Sequence, residues 1–245
     1  MKEKRVAMFD MDGVLFDSMK NHAWSWHETM KHFGLDLPVE EAYLHEGRTG
    51  AGTINIVSMR QRGRLATDQE IHDIYAYKSQ LFNTCPLAAS MPGAYELLTK
   101  VKADGFLPMV VTGSGQKTLL ERLQRSFQDI FTPELMVTAF DVKHGKPNPE
   151  PYLMGLQKAF GADADASKQK AFVVENAPLG IQSAKAAGVF TIAVNTGPLP
   201  DEVLWEAGSD MLFPSMQALC DAWTEVKSIL LTSERNDKIH SNQRG

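Results

Sequence analysis

Asp10 and Asp12 stand two residues apart where the apolar run Val6-Ala7-Met8-Phe9 ends and Gly13 begins a turn. Carboxylates at positions i and i+2 of an extended segment point the same way. They would share one cleft, ionise interdependently, and be able to divide nucleophilic and acid/base work between them. A strand that merely ends in an Asp-Gly turn gives the same letters, so the pair alone leaves both readings open.

Three more segments carry polar groups to places where strands should end. Phe106 to Val111 is an apolar run that closes on Thr112-Gly113-Ser114-Gly115, and a helical pattern follows through Leu119, Leu120, Leu123 and Phe127. Free backbone N–H groups, the Thr112 and Ser114 hydroxyls and a helix dipole would together hold a phosphoryl oxygen. Val111 and Gln116 stand where a nucleotide-binding loop needs glycines, which excludes the ATPase reading. After the apolar run Leu135–Ala139 comes Lys143-His144-Gly145-Lys146-Pro147-Asn148-Pro149, where prolines fix the backbone around Lys146. An amine on a rigid loop neutralises phosphate with less ordering on binding than one on a mobile tail. Finally, Ala171-Phe172-Val173-Val174 ends in Glu175-Asn176, whose oxygens suit magnesium.

On these four motifs, Asp10-x-Asp12-Gly13, Thr112, Lys146 and Glu175-Asn176, the chain resembles the haloacid dehalogenase superfamily of phosphotransferases over roughly residues 4 to 225. Asp12 to Ser18 and Gly180-Ile181-x-x-Ala184-x-x-Ala187-Gly188 resemble its β-phosphoglucomutase-like branch. The resemblance implies that Asp10 attacks phosphorus to form an aspartyl-phosphate and that Asp12 acts as general acid and base. It implies that Thr112, Gly113, Ser114 and Lys146 take up phosphoryl charge. It further implies Mg2+ held by the Asp10 carboxylate, the Asp12 main-chain carbonyl, Asn176 and, directly or through water, Glu175. Most relatives carry an aspartate where this chain has Asn176.

Two textures divide the chain. Residues 18–88 show helix-like periodicity and no convincing strand: Ala23, Trp26 and Met30, then Ile54, Val57 and Met59, then Ile71, Ile74, Tyr75 and Leu81. They read as a helical cap domain inserted after the first strand. Residues 1–17 and 89–230 carry the βα rhythm of a doubly wound, parallel α/β core. Residues 231–245 are polar and aperiodic and read as a disordered tail. The expected hinges lie near Asp17–Lys20 and Cys85–Pro92.

Composition bounds the partners. The 245 residues carry a formal net charge of -5, which excludes a broad basic surface for nucleic acid or anionic lipid. The two cysteines, Cys85 and Cys220, form no metal-ligand pattern and fit a reducing compartment. Lys2-Glu3-Lys4-Arg5 precedes too few apolar residues for a signal peptide or a membrane span. The expectation is a cytoplasmic monomer acting on a small phosphorylated anion.

The cap's chemistry gathers in His45-Glu46-Gly47-Arg48-Thr49-Gly50-Ala51-Gly52. Its glycines allow close approach of backbone, Arg48 and Thr49 can meet phosphate, and Glu46 adds a negative charge that phosphate alone does not need. His22, His27 and His32, spaced by five, share no helix face and read as packing or surface residues. Related mutases resemble one another in a basic residue just before the cap glycine, where this chain has Glu46. With Asn176, that makes the chain most similar to an inorganic pyrophosphatase arising inside the mutase-like branch. Asn176 would spare an anionic substrate about 3 kcal/mol of repulsion at about 5 Å and an effective dielectric near 20. A β-phosphoglucomutase, a sugar-phosphate phosphatase and a non-catalytic receiver-like phosphate binder are the alternatives, and the inserted cap weighs against the receiver.

Overall fold

The computed structural model describes residues 4–115, 117–127 and 130–232, and in residues 117–120 the backbone alone. Strand β1 (Arg5–Phe9) leads into four helices, α1 (Met19–His32), α2 (Val39–Leu44), α3 (Gly50–Arg62) and α4 (Asp68–Thr84). The chain then alternates: α5 (Ala94–Ala103), β2 (Phe106–Val111), α6 (Lys117–Ser126), β3 (Met136–Val137), α7 (Glu150–Phe160), β4 (Ala171–Glu175), α8 (Pro178–Ala186) and β5 (Phe190–Val194). It closes with α9 (Asp201–Glu206), β6 (Met211–Phe213), α10 (Met216–Asp221) and α11 (Trp223–Leu231).

The strands form one six-stranded sheet in the order β3-β2-β1-β4-β5-β6, every pairing parallel. The expected doubly wound α/β sheet is therefore present. Alternate residues of β1 serve the two faces: Ala7 and Phe9 join Leu97, Phe127, Phe172 and Trp223 on one side. Val6 and Met8 join Tyr152, Leu156 and Ala184 on the other. A strand covered on both faces needs an unbroken apolar run, which is why Val6 to Phe9 contains no polar residue. The ends of β1, β2 and β4 lie side by side, because Met8 pairs with both Met109 and Val173.

Between β1 and α5 the helices bury a separate cluster of Met30, Leu35, Leu37, Ile54, Val57 and Ile74. The chain leaves and re-enters the sheet layer through adjacent backbone, with Asp17 N–H donating to Ala89 O at 2.9 Å and Met91 N–H to Leu15 O at 2.9 Å. Among the described residues no helix is long and apolar enough to cross a membrane. Cys85 and Cys220 are both free thiols. Gln116, the side chains of Leu119 and Leu120, and the tail from residue 233 onward lie outside the described residues.

Candidate active site

Asp10 caps β1, its N–H donating to Val174 O on the neighbouring strand at 3.0 Å, and its side chain is buried. Lys146, equally buried, binds it: Nζ lies 2.5 Å from Asp10 Oδ1, 2.5 Å from Glu175 Oε1 and 3.1 Å from Val111 O. Tyr152 donates its hydroxyl to the same Glu175 oxygen at 2.6 Å. One ammonium thus serves two buried carboxylates. Burial pushes the Asp10 carboxyl up to about 8 against the pull of Lys146, and the Glu175 and Asp12 charges add to the rise.

Asp12 is shifted the other way. Burial raises it, but the His22 ring, the Ser18 hydroxyl and the Lys78 ammonium outweigh burial and hold it below its ordinary value. Ser18 Oγ donates to Asp12 Oδ1 at 2.6 Å, His22 Nε2 lies 3.2 Å from that oxygen, and Lys78 Nζ lies 2.7 Å from His22 Nδ1. Lys78 is buried against the Phe82 and Trp26 rings, with Nζ 4.8 and 5.4 Å from their centroids. That burial brings the amine down to about 7. Sequence periodicity placed His22 among packing or surface residues; the structure puts it in contact with Asp12. The available signal was that His22 follows Ser18 by one helical turn, directly after the aspartate turn.

Two glycines let these parts close up. Gly13 has φ +82, and a Cβ there would meet Asn176 Nδ2 at 2.0 Å, so the turn after Asp12 accepts only glycine. Gly47 has φ +85 and lies over the Lys146 stem, where a Cβ would meet Cδ at 2.9 Å. The insertion loop consequently rests on the sheet's edge. Glu46 is buried there, and Asn176 Nδ2 donates to its Oε1 at 3.0 Å. Burial first, then the Asp10 charge, drives the Glu46 carboxyl well above its ordinary value despite the Asn176 bond.

Thr112 accepts the Ser114 N–H at 3.0 Å through its own hydroxyl, which shapes the loop at the end of β2. Gly113 packs so closely on the insertion that a Cβ would come within 2.6 Å of Gly47 O. Gly113 and Ser114 line a cavity of about 60 Å³ together with Asp10, Asp12, Glu46 and Arg48. Arg48 Nε is buried with no hydrogen-bond partner. The Thr49 hydroxyl, expected to meet substrate, caps α3 by accepting the Gly52 N–H at 3.2 Å.

Glu175 has both carboxylate oxygens in contact with protein donors. Its Oε1 takes Lys146 and Tyr152, and its Oε2 takes the Asn176 and Ala177 N–H groups at 3.1 and 3.4 Å. Its Oε1 anchors Lys146. Gly180 makes room for it, since a Cβ there would lie 1.9 Å from Oε1. Among the described residues no three His, Cys, Asp or Glu side chains converge as a metal cage. The residues fit magnesium: Asn176 Oδ1 is a buried oxygen with no hydrogen-bond partner, and the Asp10 carboxyl at the end of β1 supplies a further hard oxygen. Hard oxygen donors in small number are what Mg2+ takes when it also keeps waters and substrate oxygens.

The family model for haloacid dehalogenase-like hydrolases matches residues 7–194, and the chain belongs to that family. Within it the chain falls in the β-phosphoglucomutase-like branch of phosphatases and mutases, enzymes that use Mg2+. It is similar to hexitol phosphatase A of Escherichia coli (strain K12), 29% identical over 189 residues, covering 77% of this chain and 82% of that one. It is also similar to glycerol-1-phosphate phosphohydrolase 2 of Saccharomyces cerevisiae, 29% identical over 218 residues, covering 87% and 83%. A solved structure described as a putative β-phosphoglucomutase from Bacteroides vulgatus matches with a TM-score of 0.88 and 58% identity, covering 94% of this chain and 91% of that one.

Proposed function

We propose that the protein is a magnesium-dependent phosphohydrolase in which Asp10 attacks the phosphorus of a small phosphorylated anion and inorganic pyrophosphate is the substrate. Asp12 gives a proton to the leaving oxygen and then removes one from the water that hydrolyses the aspartyl-phosphate. Lys146, Thr112, Gly113 and Ser114 hold the oxygens of the transferring group, so most of the rate comes from positioning and charge. The Asp10 carboxylate, the Asp12 main-chain carbonyl, Asn176 and, directly or through water, Glu175 would hold Mg2+, which would supply charge neutralisation. An incoming phosphoryl dianion raises the Asp12 carboxyl towards the protonated form that its acid role needs. Residues 18–88 act as the cap over a core of 1–17 and 89–230, and the two free cysteines suit a cytoplasmic enzyme.

The observation that carries pyrophosphate is the buried Glu46 carboxylate, held by Asn176, on the wall of a cavity of about 60 Å³ that Asp10 also lines. Sites for larger ligands enclose roughly 300–1,000 Å³. Pyrophosphate is small and chelates magnesium itself, which would give the buried Glu46 carboxylate a cation to face. The comparisons favour the second reading, a sugar- or polyol-phosphate phosphatase or a mutase: the relatives named above act on phosphorylated polyols or are described as a mutase, and none has pyrophosphate in its name. A magnesium-dependent phosphate-release panel of pyrophosphate, hexose phosphates, polyol phosphates and nucleotides decides between them. Highest kcat/KM on a hexose or polyol phosphate ends the pyrophosphate reading.

Glu46→Ala should lower pyrophosphate hydrolysis by about one to three decades and act much less on p-nitrophenyl phosphate. Equal loss on both would make Glu46 a structural residue of the cap. Lys78 acts on Asp12 through His22, so Lys78→Met, which keeps the packing against Trp26 and Phe82, should cost about one to two decades in kcat with an unchanged fold. A kcat equal to that of the wild type would exclude Lys78 from tuning Asp12.

A further inference from the structure

His45 ends α2 and lines the same cavity as Asp10, Glu46 and Arg48, yet only one of its ring nitrogens has a partner. Nε2 lies 3.0 Å from Glu41 Oε1, and Arg60 Nη1 donates to that same oxygen at 2.5 Å. The ring is therefore oriented by a carboxylate that is itself clamped. Nδ1 is buried and has no hydrogen-bond partner. Buried polar atoms are nearly always bonded, and an exception calls for a ligand or a function. Fixing one imidazole nitrogen with a carboxylate decides how the other is presented.

We propose that His45 is a substrate-binding residue whose Nδ1 takes an oxygen on the leaving group, the portion of the substrate beyond the phosphoryl that Asp10 attacks. The inference rests on the phosphohydrolase reading above. Asp10, Lys146 and the loop from Thr112 to Ser114, all on the sheet's edge, surround the transferred phosphoryl. His45 comes from the insertion, next to Glu46, and so meets what lies on the other side of the scissile bond. That oxygen is a phosphate oxygen in pyrophosphate and a hydroxyl in a sugar or polyol phosphate. An imidazole nitrogen serves either, donating when protonated and accepting when not.

Amide substitutions separate the two nitrogens, because an Asn amide reaches the place of Nδ1 and a Gln amide the place of Nε2. His45→Asn should keep kcat/KM on pyrophosphate and on glycerol 1-phosphate within about threefold of wild type. His45→Gln should lose about tenfold, mainly in KM, which is what one hydrogen bond is worth. Phenyl phosphate, whose leaving group carries only the ester oxygen, should lose at least threefold less. Glu41→Gln, which loosens the ring without altering it, should raise KM in the same substrate order. Binding of methylenediphosphonate, measured by calorimetry without turnover, should weaken for the Gln variant and hold for the Asn variant. A Gln variant equal to or better than the Asn variant in catalysis or in binding, or an equal loss on phenyl phosphate, overturns the assignment. Absence of phosphate release by the wild type from all three substrates instead removes the phosphohydrolase reading, and the calorimetric order still decides His45.

Discussion

Asp10→Asn abolishes phosphate release, by roughly 10⁴- to 10⁶-fold, while the protein still folds and binds magnesium. The amide cannot form the acyl phosphate, yet its oxygen remains a metal donor of the kind Asn176 already supplies. Stability should be unchanged or slightly higher, because burial disfavours the Asp10 charge and Lys146 keeps its bond to Glu175 at 2.5 Å. Phosphate release, thermal melting by circular dichroism and a magnesium titration check the three parts separately. Wild-type turnover in this variant would remove Asp10 as nucleophile and with it the mechanism.

Lys146→Met carries the second large effect. The ammonium is the partner shared by Asp10 and Glu175, whose side chains are 4% and 1% exposed. Removing one member of a buried ion pair costs about 3–5 kcal/mol, because the partner left behind stays buried without compensation. The variant should lose that much in urea denaturation at neutral pH and at least about a hundredfold in turnover. Lys146→Arg should restore little of either, since the planar guanidinium cannot occupy a point between three oxygens at 2.5 to 3.1 Å. A loss below about 1 kcal/mol would mean that the two carboxylates are neutral without Lys146.

The sheet was legible in the sequence wherever strands are buried on both faces. Phe106 to Val111 is β2 residue for residue, and the run beginning at Ala171 is β4. Leu135–Ala139 yields only the two-residue β3, because it lies at the sheet's edge and pairs with β2 alone. Asp10 and Thr112 follow the ends of the paired strands β1 and β2, a consequence of topology that local pattern reports well, and the loop bearing Lys146 reaches Asp10 and Val111 O there. What the pattern missed depends on side chains meeting from distant segments. His22 finds its partner Lys78 56 residues away, and helical periodicity carries no information about that contact. Glu175 is placed by its strand end, but that Lys146 and Tyr152 both meet its Oε1 from distant segments is not written in the local pattern. Thr49 reads as a phosphate contact, although its position one residue before α3 also marks it as a helix cap.

The central position of β1 bears on how the chain emerges from a ribosome. Its neighbours are β2 and β4, and Asp10 meets Lys146 across 136 residues of sequence. Because synthesis runs from the N-terminus, Asp10 is made before Lys146 and Glu175, the groups that set its charge. During that interval Asp10 is an ordinary solvated aspartate on an unpaired strand. Asp10 gains its ammonium partner only once Lys146 has been made and brought to the end of β1.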